Sequence, residues 1–226
     1  MPNAPSPADR APAVRRSRAG LSHPLIGGGT DGNEQLTAIT GTILIVLLAV
    51  IGVTILRIGQ LISLHLFVGL LLIGPVALKL ASTGYRFARY YSHDSAYRRK
   101  GPPVTPLRLI APMIVLTTLV VFASGVVLLL VGPGDRGQLV LIHKVSFIVW
   151  VAFTSLHVLG HLPSMPASLR SVRRANPSLQ ERAPGGAGRW IAIVGALVGG
   201  LVLAIVLIPD FAVWTAHSAS VHHHRG

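Results

Sequence analysis

The chain contains no cysteine. Disulfides, iron–sulfur clusters and thioether-linked c-type heme are therefore excluded. Acidic residues are almost as scarce, with 7 Asp and Glu among 226 residues. Charged residues of both signs make up 12%, about half the share expected of a soluble domain. Aromatic residues stand at 6%. What remains is apolar: 51% of residues are hydrophobic and the mean hydropathy is +0.62. This is the composition of an integral membrane protein, with no room for a second folded domain.

Five apolar runs are long enough to cross about 30 Å of hydrocarbon. They cover roughly residues 36–56, 61–82, 107–131, 138–162 and 189–208. Only helices or closed barrels satisfy the backbone in lipid, and runs of this length make helices. The expected fold is all-α, an integral membrane helical bundle of five transmembrane helices. Arg57-Ile58-Gly59-Gln60 leaves only a short turn between the first two runs, which should form a hairpin. Gly132-Pro133-Gly134-Asp135-Arg136-Gly137 is a strong turn signal between the third and fourth. Residues 1–35 are rich in Pro, Ala, Gly and Arg. That composition predicts a disordered tail. The membrane domain is expected over 36–208, followed by a His-containing tail over 209–226.

The net charge of +13 does not point to nucleic acid, because the basic residues are divided among loops. Their distribution sets an orientation instead. The N-terminal tail holds 4 Lys and Arg, the 83–106 loop with Lys79 and Arg108 holds 7, and the 163–189 segment holds 5. That places 16 of the 20 on one side, against Arg57, Arg136, Lys144 and Arg225 on the other. The positive-inside rule then puts the N-terminus in the cytoplasm and the C-terminus outside the cell membrane.

Histidines inside the spans carry the functional signal. His65 and His143 lie about four and five residues into the second and fourth runs, which run parallel if spans alternate. Intramembrane histidines are costly and mark functional sites. Two imidazoles at equal depth on facing helices suit axial ligation of a heme iron, so His65 and His143 are the expected ligands of heme b. Gly69, one turn from His65, leaves space for a flat macrocycle, and serves helix packing equally well. Phe147 and Trp150 share the face of His143. Arg57 and Lys144 lie near the outer end of this pocket and are candidates for anionic substituents, or ordinary snorkelling residues. His157 and His161 stand near the inner end of the same run as candidates for a second heme. Fourteen helical steps from His143 return His157 to nearly the same face.

The order of helices and the placement of His65, His143 and His157 resemble the di-heme membrane cytochromes b, over about residues 36–162. Ser82-Thr83-Gly84-Tyr85-Arg86-Phe87-Ala88-Arg89-Tyr90-Tyr91 and Tyr97-Arg98-Arg99-Lys100-Gly101-Pro102-Pro103 are similar to small bacterial membrane proteins of that group. The resemblance implies a four-helix heme-binding core and a role as cytochrome subunit or anchor of a partner oxidoreductase, with a redox partner protein expected and quinone a candidate partner. It also implies a histidine fourteen residues after His65, where Lys79 stands instead. One heme is expected, and a second requires a ligand such as Lys79 or His93. With both axial positions filled by imidazole, such a protein carries electrons and performs no substrate chemistry.

A heme-free transporter or metal-handling protein is the alternative, with His157, His161 and the tail residues His217 and His222–His224 as transient ligands. Scarcity of acid within the spans counts against it, since Asp210 ends the fifth run and Glu181 lies in a loop. A cofactor-free anchor leaves the matched histidines unexplained.

Overall fold

The computed structural model describes residues 29–93, 105–134, 136–161 and 185–216, with the backbone alone at 105–109 and 161. Expectations for residues 1–28, 94–104, 162–184 and 217–226 fall outside the described residues. Those described are all helical, with no strand among them. Five helices are long and apolar enough to cross a membrane: α1 (Gly29–Leu56), α2 (Ile58–Tyr91), α3 (Thr105–Val131), α4 (Gly137–His161) and α5 (Gly186–Val206). A short 3-10 turn at Ile208–Asp210 and a helical stretch over 211–216 follow α5.

Two helices are longer than hydropathy alone indicates. α1 begins at Gly29, with Asp31 in its first turn. An acidic residue there complements the helix dipole, so helix starts before the apolar run does. α2 continues through Tyr91 and has 34 residues, about 51 Å at 1.5 Å per residue. It overshoots the hydrocarbon, and its last turns are exposed and carry Tyr85, Phe87 and Tyr91. Tyrosines at this level suit a membrane–water interface. Only Arg57 separates α1 from α2, and Leu61 has non-helical backbone angles. The reversal is thus absorbed partly inside α2.

α2 is the central helix. It packs along α1 on one side and α5 on the other, while α3 and α4 form a hairpin that meets α2 chiefly through α3. Ile51, Val68 and Leu72 make one buried cluster between α1 and α2. Leu70, Leu129, Ala204 and Phe211 make another, tying α2, α3 and α5 to the segment after α5. The fifth helix is therefore part of the core and not an appendage to four others. Phe211 and Trp214, in the stretch expected to be tail, pack into the bundle.

Glycine sets the α2–α5 contact. A Cβ on Gly74 would run into the Ala196 carbonyl, and one on Gly200 into the Leu71 carbonyl. Pro75 lacks the N–H that would bond the Leu71 carbonyl, and Gly200 lies over that same oxygen. Between helices in lipid, such close backbone approach replaces the hydrophobic drive of water-soluble cores.

Candidate functional site

A cavity of about 590 Å³ lies between α2 and the α3–α4 hairpin. That is within the usual ligand-pocket range of about 300–1,000 Å³. His65 and His143 both line it. His65 is seven residues into α2 and His143 six into α4, each about 10 Å from its helix start at 1.5 Å per residue. The matched depth expected from the sequence therefore becomes a shared chamber. The rest of the wall is mostly apolar, and Gly69, Phe147 and Trp150 are all on it.

Each imidazole is gripped through Nδ1. His65 Nδ1 lies 2.9 Å from Thr54 Oγ1, near the end of α1. Thr54 is fully buried, and its hydroxyl donates to the Ile51 carbonyl at 2.7 Å. His143 Nδ1 lies 3.0 Å from Ser124 Oγ and 3.1 Å from the Val121 carbonyl of α3. Ser124 Oγ donates to that same carbonyl at 3.0 Å. These hydroxyls follow a common pattern, in which Ser and Thr inside a helix bond the carbonyl three or four residues back. Here they also orient a ring from the neighbouring helix.

Gly125 completes the seat of His143. A Cβ there would stand 3.1 Å from His143 Cε1 and 3.5 Å from Nδ1. A Cβ on Gly69 would meet nothing within 4 Å, which agrees with an open chamber beside it. Deeper in, Trp150 Nε1 donates to Thr118 Oγ1 at 2.8 Å, and Phe147 and Trp150 stack with centroids 6.0 Å apart.

The cations are arranged differently from expectation. Lys144 lines the cavity, as does Arg136, which precedes α4. Arg57 does not: it is exposed in the α1–α2 turn and borders only a shallow depression of residues 56–60. Arg136, from the α3–α4 turn, is the second cation on the chamber wall. Trp214 also lines the cavity, from the segment after α5.

The inner-site candidates are not brought together. Lys79 reaches across to α1, where Nζ donates to the Thr37 carbonyl at 2.7 Å. Gly41 makes room for it, since a Cβ there would stand 3.2 Å from Nζ. Lys79 is thus engaged with α1 and does not line the cavity. Asn33, Thr37 and Ser82 continue this polar seam: Asn33 Nδ2 donates to the Ser82 carbonyl at 3.2 Å, Thr37 Oγ1 to the Asn33 carbonyl at 2.7 Å, and the Thr37 and Ser82 hydroxyl oxygens lie 3.1 Å apart. His157 is half-buried on α4 but does not line the cavity. His161 ends α4, and its side chain lies outside the described residues. His93 follows Ser92, the C-cap of α2, with a positive φ of 65°; its Nδ1 bonds the Tyr91 carbonyl at 2.9 Å, and it does not line the chamber.

Sequence reading missed Thr54, Ser124, Gly125, Arg136 and Trp214. A signal for three of them exists. In an antiparallel hairpin, residues equidistant from the turn face each other. Ser124 and Gly125 stand ten and nine residues before Gly134, and His143 stands nine after it. Thr54 and His65 stand five before and six after Gly59.

Among the described residues, no group of three or more His, Cys, Asp or Glu is gathered. A bare metal ion would find two imidazoles in the chamber and too few further ligands. Comparison with protein-family models, with curated proteins and with solved structures returned no match.

Proposed function

We propose that the chain is a membrane electron-transfer protein that holds a b-type heme between His65 and His143. One observation carries this reading: both histidines line a single apolar cavity, each with Nδ1 engaged by a neighbouring helix. A two-histidine set suits a metal that arrives with its own equatorial ligands, as iron does in a porphyrin. The apolar walls fit a hydrophobic disc, and Arg136 and Lys144 fit carboxylates at its edge. Bound there, such a group would cycle by one electron between Fe(II) and Fe(III).

The chain's own part is to orient the two rings and to exclude other ligands. The hydroxyls of Thr54 and Ser124 and the Val121 carbonyl hold the rings. His65 and His143 would hold the group, which would then supply electron transfer and no substrate chemistry. Electrons would pass to a redox partner protein or to quinone in the bilayer. No partner residues are implied beyond the exposed helix ends.

In the proposed orientation the N-terminus is cytoplasmic and the cavity lies near the outer face of the cell membrane. The 16-to-4 division of Lys and Arg supports this. A single cysteine introduced at Gly134 should react with an impermeant reagent from outside intact cells; protection there with reaction at a cysteine placed at Thr83 would reverse the orientation.

The heme reading is tested by the spectrum of the purified chain and a pyridine hemochrome assay. A b-type α band in the reduced-minus-oxidised difference is expected, with about one heme per chain. His65→Ala and His143→Ala should each abolish stoichiometric loading. Normal six-coordinate low-spin spectra in both variants would sink the pairing.

A further inference from the structure

We infer that Thr54 and the Val121 carbonyl fix His65 and His143 respectively as Nδ1–H tautomers, so that two bare Nε2 lone pairs face one ligand. The identity of that ligand rests on the heme reading, but the tautomers do not.

A threonine hydroxyl has one proton. Thr54 Oγ1 stands 2.7 Å from the Ile51 carbonyl oxygen, in a site sealed from solvent. Two oxygens approach that closely only with a proton between them, and a carbonyl has none. The Thr54 proton is therefore committed to Ile51. The 2.9 Å contact with His65 then requires the ring to donate. His65 Nδ1 carries the proton, and in a neutral imidazole Nε2 is left with a lone pair.

His143 reaches the same state for two reasons. Its Nδ1 lies 3.1 Å from the Val121 carbonyl, which can only accept. It also lies 3.0 Å from Ser124 Oγ, whose proton is directed to that carbonyl. Neither Nε2 makes a hydrogen bond among the described residues. Nδ1 of each ring is turned onto α1 or α3, so the opposite edge faces the chamber.

The two locks differ in kind. His65 depends on one hydroxyl. His143 keeps a backbone carbonyl that no side-chain substitution removes. Loss of Thr54 should therefore release its ring, while loss of Ser124 should not. Ring-orienting partners of this sort are worth about 10–100-fold in metal affinity.

The test uses the full-length chain produced without heme and labelled with 15N-histidine. Long-range 15N–1H correlation distinguishes protonated from bare ring nitrogens, and His65→Gln and His143→Gln assign the signals. Both histidines should appear as Nδ1–H. Thr54→Val should convert His65 to mixed tautomers, Thr54→Ser should restore it, and Ser124→Ala should leave His143 unchanged. A second measurement covers poor spectra: hemin affinity should fall about 10–100-fold in Thr54→Val and recover in Thr54→Ser. His65 found as Nε2–H, or equal behaviour of Thr54→Val and the parent in both measurements, overturns the inference. Correct tautomers without hemin binding would instead overturn the heme reading alone.

Discussion

Gly125→Ala adds one methyl group to the wall behind His143. Its Cβ would lie 3.1 Å from Cε1 and 3.5 Å from Nδ1 of that ring. Carbon atoms pack best at about 3.5–4.0 Å, so the ring must retreat by roughly half an ångström. The same ring is held by hydrogen bonds of 3.0 and 3.1 Å to Ser124 and Val121. A retreat of that size takes both contacts to about 3.5 Å, where a hydrogen bond has largely weakened. Overpacking costs about 1–3 kcal/mol, and a weakened hydrogen bond about 0.5–1.5 kcal/mol more. Part of this would be relieved by tilting the ring, which moves Nε2 off its position. Hemin affinity should therefore fall by about tenfold or more, each tenfold being about 1.4 kcal/mol. Gly69→Ala is the control. It brings the same gain in helix propensity, yet its Cβ would meet nothing within 4 Å. It should leave the thermal stability of the heme-free chain unchanged or slightly raised. The assay is hemin titration of both purified variants in one detergent, with thermal unfolding of each before loading. Parent-like affinity and spectrum in Gly125→Ala would refute the claim that α3 seats His143 through this glycine.

Arg136→Gln should weaken hemin binding several-fold while Arg57→Gln leaves it unaltered, because of the two only Arg136 lines the chamber; unaltered titration of Arg136→Gln, or an equal loss in Arg57→Gln, would contradict this placement. Gly200→Leu should force α5 from α2, since even a Cβ collides with the Leu71 carbonyl. A fall in the unfolding temperature and loss of loading are both expected there, and an unchanged unfolding temperature would contradict the packing described.

The apolar runs, their number and the antiparallel hairpins are properties of the sequence. A bilayer demands lengths of apolar helix, and nothing in tertiary packing alters that demand. The matched depth of His65 and His143 follows from the same counting. Helix ends were less legible: Gly29–Gln35 and Tyr85–Tyr91 are helical without being apolar, because a helix does not stop at the membrane surface. Packing decided the rest. Lys79 occupies the position of an expected ligand, but Gly41 lets it bond the Thr37 carbonyl on α1. Arg57 and Arg136 both lie in turns at one end, and of the two only Arg136 lines the cavity. α5 shares no histidine with the site, yet it braces α2 through Gly74 and Gly200 and sends Trp214 into the chamber wall. Such choices depend on which helix faces touch. Between uniformly apolar helices, that is determined by a few glycines and hydroxyls whose partners become neighbours only once the chain has folded.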